Sequence, residues 1–188
     1  SFKEAISVYL NSVLMDRNNP DTYLGLGICY KNLGKIKKAI QSLEKAALLD
    51  SNRFETFFEL GLCHLKDETP CCAIKCFIHA IQIEPDNPEA IYNYINAYIR
   101  KSALFMKMEL YRQALGLYNE ILKINPNYAQ AYSNIGICLD KLGKHTDAKR
   151  YYRKFLAARP NDDNANLIMR RVEKLRNIKL KDKKLSLV

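Results

Sequence analysis

Apolar and polar residues follow a helical period along this chain, and the period is interrupted at regular intervals. In YLGLGICY the residues Tyr23, Leu26, Gly27 and Tyr30 fall on one face of a helix, and Ala39, Leu43 and Ala46 share the face of a second. Clusters of Asn, Asp and Pro (NNPD, EPDNPE and NPN) separate these stretches and supply capping and turn residues. The pattern predicts pairs of short amphipathic helices and an all-α chain.

The pairs repeat. Ala5, Ala39, Ala73, Ala114 and Ala148 recur at steps of 34, 34, 41 and 34 residues. Four residues after each stands Tyr9, Leu43, Phe77, Tyr118 or Tyr152. Pro85, Pro126 and Pro160 close three of the units, where Arg17 and Ser51 hold the place in the first two. FFELGLCH and YSNIGICL copy YLGLGICY, whereas IYNYINAY is looser, with Ile95 where the others have Gly27, Gly61 and Gly136.

This resembles the tetratricopeptide repeat family, whose pattern is an aromatic, x2-Leu-Gly-x2-Tyr, Ala-x3-Phe and Pro over 34 residues. Tyr23, Phe57, Ile91 and Tyr132 take the aromatic place, since the chain has no tryptophan. The resemblance implies a right-handed superhelical solenoid of antiparallel helix pairs. Residues 1–19 then read as the second helix of a truncated repeat, with repeats at 20–53, 54–87, 88–128 and 129–162. A capping helix at 163–180 follows, its stripe formed by Ile168, Val172, Leu175 and Ile178, and then a basic tail at 181–188.

The 41-residue step places a seven-residue insertion near 99–113, in IRKSALFMKMELYRQA. Seven residues are about two helical turns, so the buried face keeps its phase to within roughly 20°. The expectation is a lengthened hairpin whose tip offers Leu104, Phe105, Met106 and Met108 as an adaptable contact surface. The stretch has no Gly, Pro, Asn or Asp, so the alternative is one helix from about Glu89 to Leu122 that swaps its second half into a homodimer.

Charge adds one element. The chain carries +10, of which 8 − 2 = +6 lies from Asn166 onward and 22 − 18 = +4 in the rest, so the basicity is assigned mostly to the tail. That tail suggests a contact with an anionic membrane or nucleic acid as an alternative function, and SLV at its end matches a short PDZ-ligand pattern. Six cysteines without a disulfide framework point to free thiols and a reducing, cytoplasmic compartment. No run of some 18 apolar residues is present, and no signal peptide is visible.

Catalytic motifs are absent, so the chain is read as non-enzymatic, with no cofactor and no small-molecule substrate. The one metal candidate is Cys72, Cys76 and His79, at i, i+4 and i+7 on a helix. Against it, Cys29, Cys63 and Cys138 hold one repeated position as small core residues. His64 is read as a packing residue and His145 as solvated.

In the family, first helices line a concave wall that takes partner peptides. Carried over, this picks out Leu24, Ile28, Phe58, Leu62, Tyr92, Asn93, Asn96, Ser133, Asn134 and Ile137, with Lys31, Lys66, Arg100 and Lys141 as a basic edge. The function expected is a protein–protein interaction scaffold binding a peptide or protein, or else the substrate-recruiting segment of a larger enzyme. Leu24, Ile28, Glu59, Tyr92 and Asn96 stand where the family's clamp for heat-shock chaperone C-termini needs Lys, Asn and Arg, which argues against that partner. Asn93 and Asn134 resemble two rungs of an asparagine ladder, broken at Gly25 and Glu59.

Overall fold

The computed structural model describes residues 1–185, with side-chain surroundings through Leu175. These residues form helices and no strand, arranged as a solenoid of antiparallel pairs. The chain divides into two compact units, Ser1–Ala97 and Tyr98–Val188. Unit 1 contains α1 (Phe2–Met15), α2 (Pro20–Asn32), α3 (Ile36–Leu49), α4 (Phe54–Lys66), α5 (Pro70–Ile83) and the start of α6 (Pro88–Lys107). Unit 2 holds the rest of α6, then α7 (Tyr111–Ile124), α8 (Ala129–Lys141), α9 (His145–Ala158) and α10 (Ala165–Leu185).

Local chemistry sets the helix ends. Asn19 accepts from the backbone N–H groups of Asp21 and Thr22, ahead of Pro20 at the first helical position, and Asn87 does the same for Glu89 and Ala90 ahead of Pro88. Asp16, Asp50 and Asn125, just past α1, α3 and α7, each accept from the backbone N–H two residues on. Between paired helices the chain turns through a left-handed residue: Gly34 (φ 72°), Glu68 (57°), Glu109 (58°) and Gly143 (73°). The next N–H then bonds back five residues in every case, Lys35 to Tyr30, Thr69 to His64, Leu110 to Phe105 and Lys144 to Leu139.

Packing within three of the pairs, α2/α3, α4/α5 and α8/α9, depends on a glycine. A Cβ on Gly27 would lie 2.5 Å from Leu43, one on Gly61 2.6 Å from Phe77, and one on Gly136 2.5 Å from Tyr152. Leu43, Phe77 and Tyr152, four residues after Ala39, Ala73 and Ala148, therefore press directly on the backbone of the first helix. In unit 1 Leu24, Ala39, Leu43, Ala46, Leu60, Cys63 and Cys76 form one continuous buried cluster. In unit 2 Ala148, Tyr152 and Phe155 of α9 are buried, as are Ile135, Gly136 and Cys138 of α8.

The insertion lengthens one helix only. α2, α4 and α8 have 13 residues and α6 has 20, while α7 has the same 14 as α3, α5 and α9. Within the expected extended hairpin, all seven residues are taken up by α6. The continuous helix to Leu122 is absent: α6 stops at Lys107, and Glu109 turns the chain in the left-handed conformation that Gly34 and Gly143 adopt elsewhere. α10 docks on α9 and runs to Leu185, past the boundary expected at residue 180, since no Gly or Pro interrupts it. Ile178 has no described side chain, and the SLV segment lies outside the described residues.

Glu68 and Glu109 bear the cost of a left-handed conformation with a Cβ, about 1 kcal/mol or more each. Glu109→Gly and Glu68→Gly should each raise stability by about that amount in urea unfolding, and Gly143→Ala should lower it similarly. A loss of stability in both Gly variants would contradict the shared turn geometry.

Candidate functional site

The first helices of unit 1 present a partly open wall. Ile28 and Leu62 are half-buried, with Lys31 and Glu59 ion-paired beside them; these two side chains are 13% and 17% exposed. Leu24 and Phe58 lie deeper, at 8% and 9%. Leu24 joins the unit core, and Phe58 packs between Phe54 and Phe77, with ring centroids at 5.4 and 6.0 Å. Asn93 is buried, its amide donating to the Glu89 carbonyl at 2.9 Å, while Asn96 is half-buried and Tyr92 is exposed. In unit 2 Ser133 is buried, Asn134 and Ile137 are half-buried, and Lys141 and Arg100 are exposed.

The structure therefore sorts the sequence-derived wall residues. Leu24, Phe58, Asn93 and Ser133 serve packing, because a first helix buries two adjoining faces in a stacked array. The basic edge loses Lys31 to Glu59, and Gly25 is covered by the Tyr9 ring, against which a Cβ would lie at 2.3 Å. Of the insertion residues, Leu104 and Met108 are exposed, while Phe105 and Met106 are half-buried and the Cys138 thiol meets the Met106 sulfur at 3.2 Å.

Sequence reasoning missed one polar centre. Asp140 of α8 accepts two bonds from the Arg171 guanidinium of α10 (Nε–Oδ2 2.5 Å, Nη2–Oδ1 2.7 Å). It also meets His145 Nδ1 at 3.1 Å, and the Tyr152 hydroxyl donates to it at 3.4 Å. Burial acts to raise this carboxyl, but Arg171 and His145 outweigh it and hold Asp140 below the ordinary carboxylate value. His145, expected to be solvated, is thus bonded. The only sequence signal was an acid beside the turn, since its partner lies 31 residues away on the docked α10.

The metal candidate does not assemble. Cys72 is exposed and Cys76 buried, and His79 Nε2 donates to the Ser51 carbonyl at 2.9 Å while its ring lies on Phe57. That bond has a counterpart in other units. The Tyr23 hydroxyl donates to Arg17 and the Tyr132 hydroxyl to Pro126, each to the carbonyl six residues earlier. Phe57 lacks the hydroxyl, and His79 supplies the donor for the equivalent carbonyl. Among the described residues no three His, Cys, Asp or Glu side chains are placed to hold a metal ion, and no helix is long and apolar enough to cross a membrane.

Charge is also distributed differently from the tail-centred reading. Unit 1 holds 10 Lys/Arg against 12 Asp/Glu, a balance of −2, and unit 2 holds 20 against 8, a balance of +12. Only +6 of that lies from Asn166 onward, so the repeats of unit 2 carry as much.

Two segments, residues 20–53 and 117–150, match the tetratricopeptide repeat profile. The chain belongs to the tetratricopeptide repeat family. The second match is out of frame with the helix pairs, running from within α7 into α9, because the start of a repeat is arbitrary in a solenoid. Over 185 residues the chain is 22% identical to human protein O-mannosyl-transferase TMTC1, a match covering 96% of this chain and 21% of that protein. It is 25% identical over 156 residues to the tetratricopeptide repeat-containing protein MJ1428 of Methanocaldococcus jannaschii, covering 81% and 27%. Rat serine/threonine-protein phosphatase 5 is 30% identical over 95 residues, covering 50% and 18%. The chain thus spans about a fifth to a quarter of these relatives.

Among solved structures, MamA matches with a TM-score of 0.57 and 28% identity over 85% of this chain and 83% of that one. YrrB, described as a tetratricopeptide repeat protein with an unusual peptide-binding site, matches with a TM-score of 0.50 and 16% identity over 96% and 100%, a likeness of fold alone. The repeats support a protein–protein interaction scaffold.

Burial pushes the Cys63 and Cys138 thiols up to about 11 and Cys76 up to about 12. Unfolding returns them to the ordinary value of 9.0, so the folded state favours neutral thiols. Their contribution is intact below pH 9 and should fall as pH rises toward 11, by up to about 1.4 kcal/mol per pH unit for each thiol. Urea unfolding at pH 8 and 10.5 measures this, and Cys138→Ala should flatten the dependence.

Arg171→Met strands the Asp140 carboxylate and should cost about 1–3 kcal/mol. The further substitution Asp140→Asn should restore part of the loss. Additive losses in the double variant would show that the pair does not act as a unit.

Proposed function

We propose that this chain is a non-catalytic scaffold that binds peptide or protein segments on the open faces of its first helices. In unit 1 the wall is built on Ile28 and Leu62, with the Lys31–Glu59 pair beside them. In unit 2 it is built on Asn134, Ile137 and Lys141. The observation that carries this reading is that Ile28 and Leu62 remain partly open to solvent and hold no place in the repeated motif. Apolar side chains of a peptide would anchor there, and Asn134 offers both a donor and an acceptor to a peptide backbone. The free, mostly buried cysteines fit a reducing compartment.

A second reading is that the chain recruits substrates or partners within a longer enzyme. The transferase and phosphatase named above support it, since this chain matches only a part of each.

Peptides selected from a displayed random library against the wild type provide the test. Their affinity, measured by calorimetry, should fall at least tenfold in Ile28→Ser/Leu62→Ser, with helicity and melting behaviour retained. Lys37→Glu/Lys75→Glu, which alters exposed lysines of the second helices, should bind as the wild type does. Equal affinity in all three proteins would overturn the assignment of the wall.

A further inference from the structure

The repeats of unit 2 carry a cationic surface that neither the wall nor the Asp140 centre uses. Asp147, Lys149, Arg150, Arg153 and Lys154 line a shallow groove along α9. This face lies away from Ala148, Tyr152 and Phe155, which are buried. Arg150, Arg153 and Lys154 are exposed, and Lys149 is half-buried. Their positions are not left to solvent alone. Lys154 Nζ stands 5.5 Å from the centre of the Tyr132 ring and 5.3 Å from that of Tyr151, and the Arg150 guanidinium lies 5.4 Å from Tyr151. The two rings are themselves 6.3 Å apart. Cations held over aromatic faces lose less freedom when they engage an anion, so the face is partly preorganised.

We propose that this face of α9 is a docking site for an acidic, extended peptide segment. Lys149 and Arg153, and likewise Arg150 and Lys154, are four residues apart, about 6 Å along the helix axis. Alternate side chains of an extended peptide recur at about 6.7 Å on one side. A segment with Asp or Glu at every second position would therefore set successive carboxylates against successive cations, where an Arg fork can bind a carboxylate in two-point fashion. The excess of +12 on unit 2 would steer such a segment inward. A peptide is favoured over single-stranded nucleic acid because Tyr132 and Tyr151 are half-buried and covered by Arg150 and Lys154, leaving no open ring on which a base would stack. Asp147 opposes the proposed ligand. It pairs with Arg150 at 3.6 Å and is the one carboxylate lining the groove.

The test uses the full chain and a fluorescein-labelled twelve-residue peptide of alternating Glu and Ser, followed by anisotropy at fixed ionic strength. Arg150→Glu/Lys154→Glu should weaken binding at least tenfold. Lys37→Glu/Lys75→Glu in unit 1 and Lys183→Glu/Lys184→Glu in the tail make the same change in net charge and should leave affinity within about twofold of the wild type. Asp147→Asn should tighten binding, a gain that a damaged fold would not produce. Ile28→Ser/Leu62→Ser should have no effect, which separates this face from the first-helix wall. Equal losses in all the charge-reversed proteins would reduce the effect to net charge and overturn the proposal. So would absence of binding, or tighter binding of a labelled dodecauridylate with the same dependence on Arg150 and Lys154.

Discussion

Everything in this architecture depends on how closely two helices of a pair approach. Gly27, Gly61 and Gly136 present bare backbone, and Leu43, Phe77 and Tyr152 lie directly on it. That contact fixes which face of each first helix turns inward. It thereby decides which neighbouring positions are left for the core and which remain at the surface. Leu24 and Phe58 fall to the core, while Ile28 and Leu62 stay partly open. The candidate wall is a by-product of the packing, and its composition can vary only where the packing leaves room.

The polar interactions serve the same frame at its edges. The carbonyl six residues before each aromatic position receives a donor from Tyr23 or Tyr132 in two repeats and from His79 in another. The need is constant and the residue that meets it is not. In unit 2, Asp140 gathers Arg171, His145 and Tyr152, tying α10 to the α8/α9 pair by directional bonds as well as by Ala165, Ile168 and Leu175.

Much of this was legible in the sequence because the repeat is carried by residues whose size is constrained. Spaced alanines and glycines announce helix pairs, and the 34-residue step gave their number and order. What stayed hidden depended on contacts between positions with no fixed type. The turn at Glu109 was invisible because glutamate is not a turn residue. Only its place, matching Gly34 and Gly143, shows why it adopts φ 58°. Leu24, Phe58, Asn93 and Ser133 read as surface because the motif leaves them unassigned, yet stacking buries them. Asp140 waited on the docking of α10, and the positive charge of α9 was masked by counting the tail against everything else.

Within each unit the helices touch mainly their neighbours in the chain: α1 with α2, α2 with α3, α3 with α4 and α4 with α5, then α7 with α8, α8 with α9 and α9 with α10. Almost no loop must close over a long stretch of chain before a contact rewards it, so the entropy of ordering is met in small instalments. Such an array can begin to fold at any well-packed pair and spread outward, and it loosens from its ends in the reverse order. α1, which has no fully buried residue, is the least anchored helix of unit 1. A nascent chain would gain native structure pair by pair as it emerges, without waiting for a distant partner strand to be made.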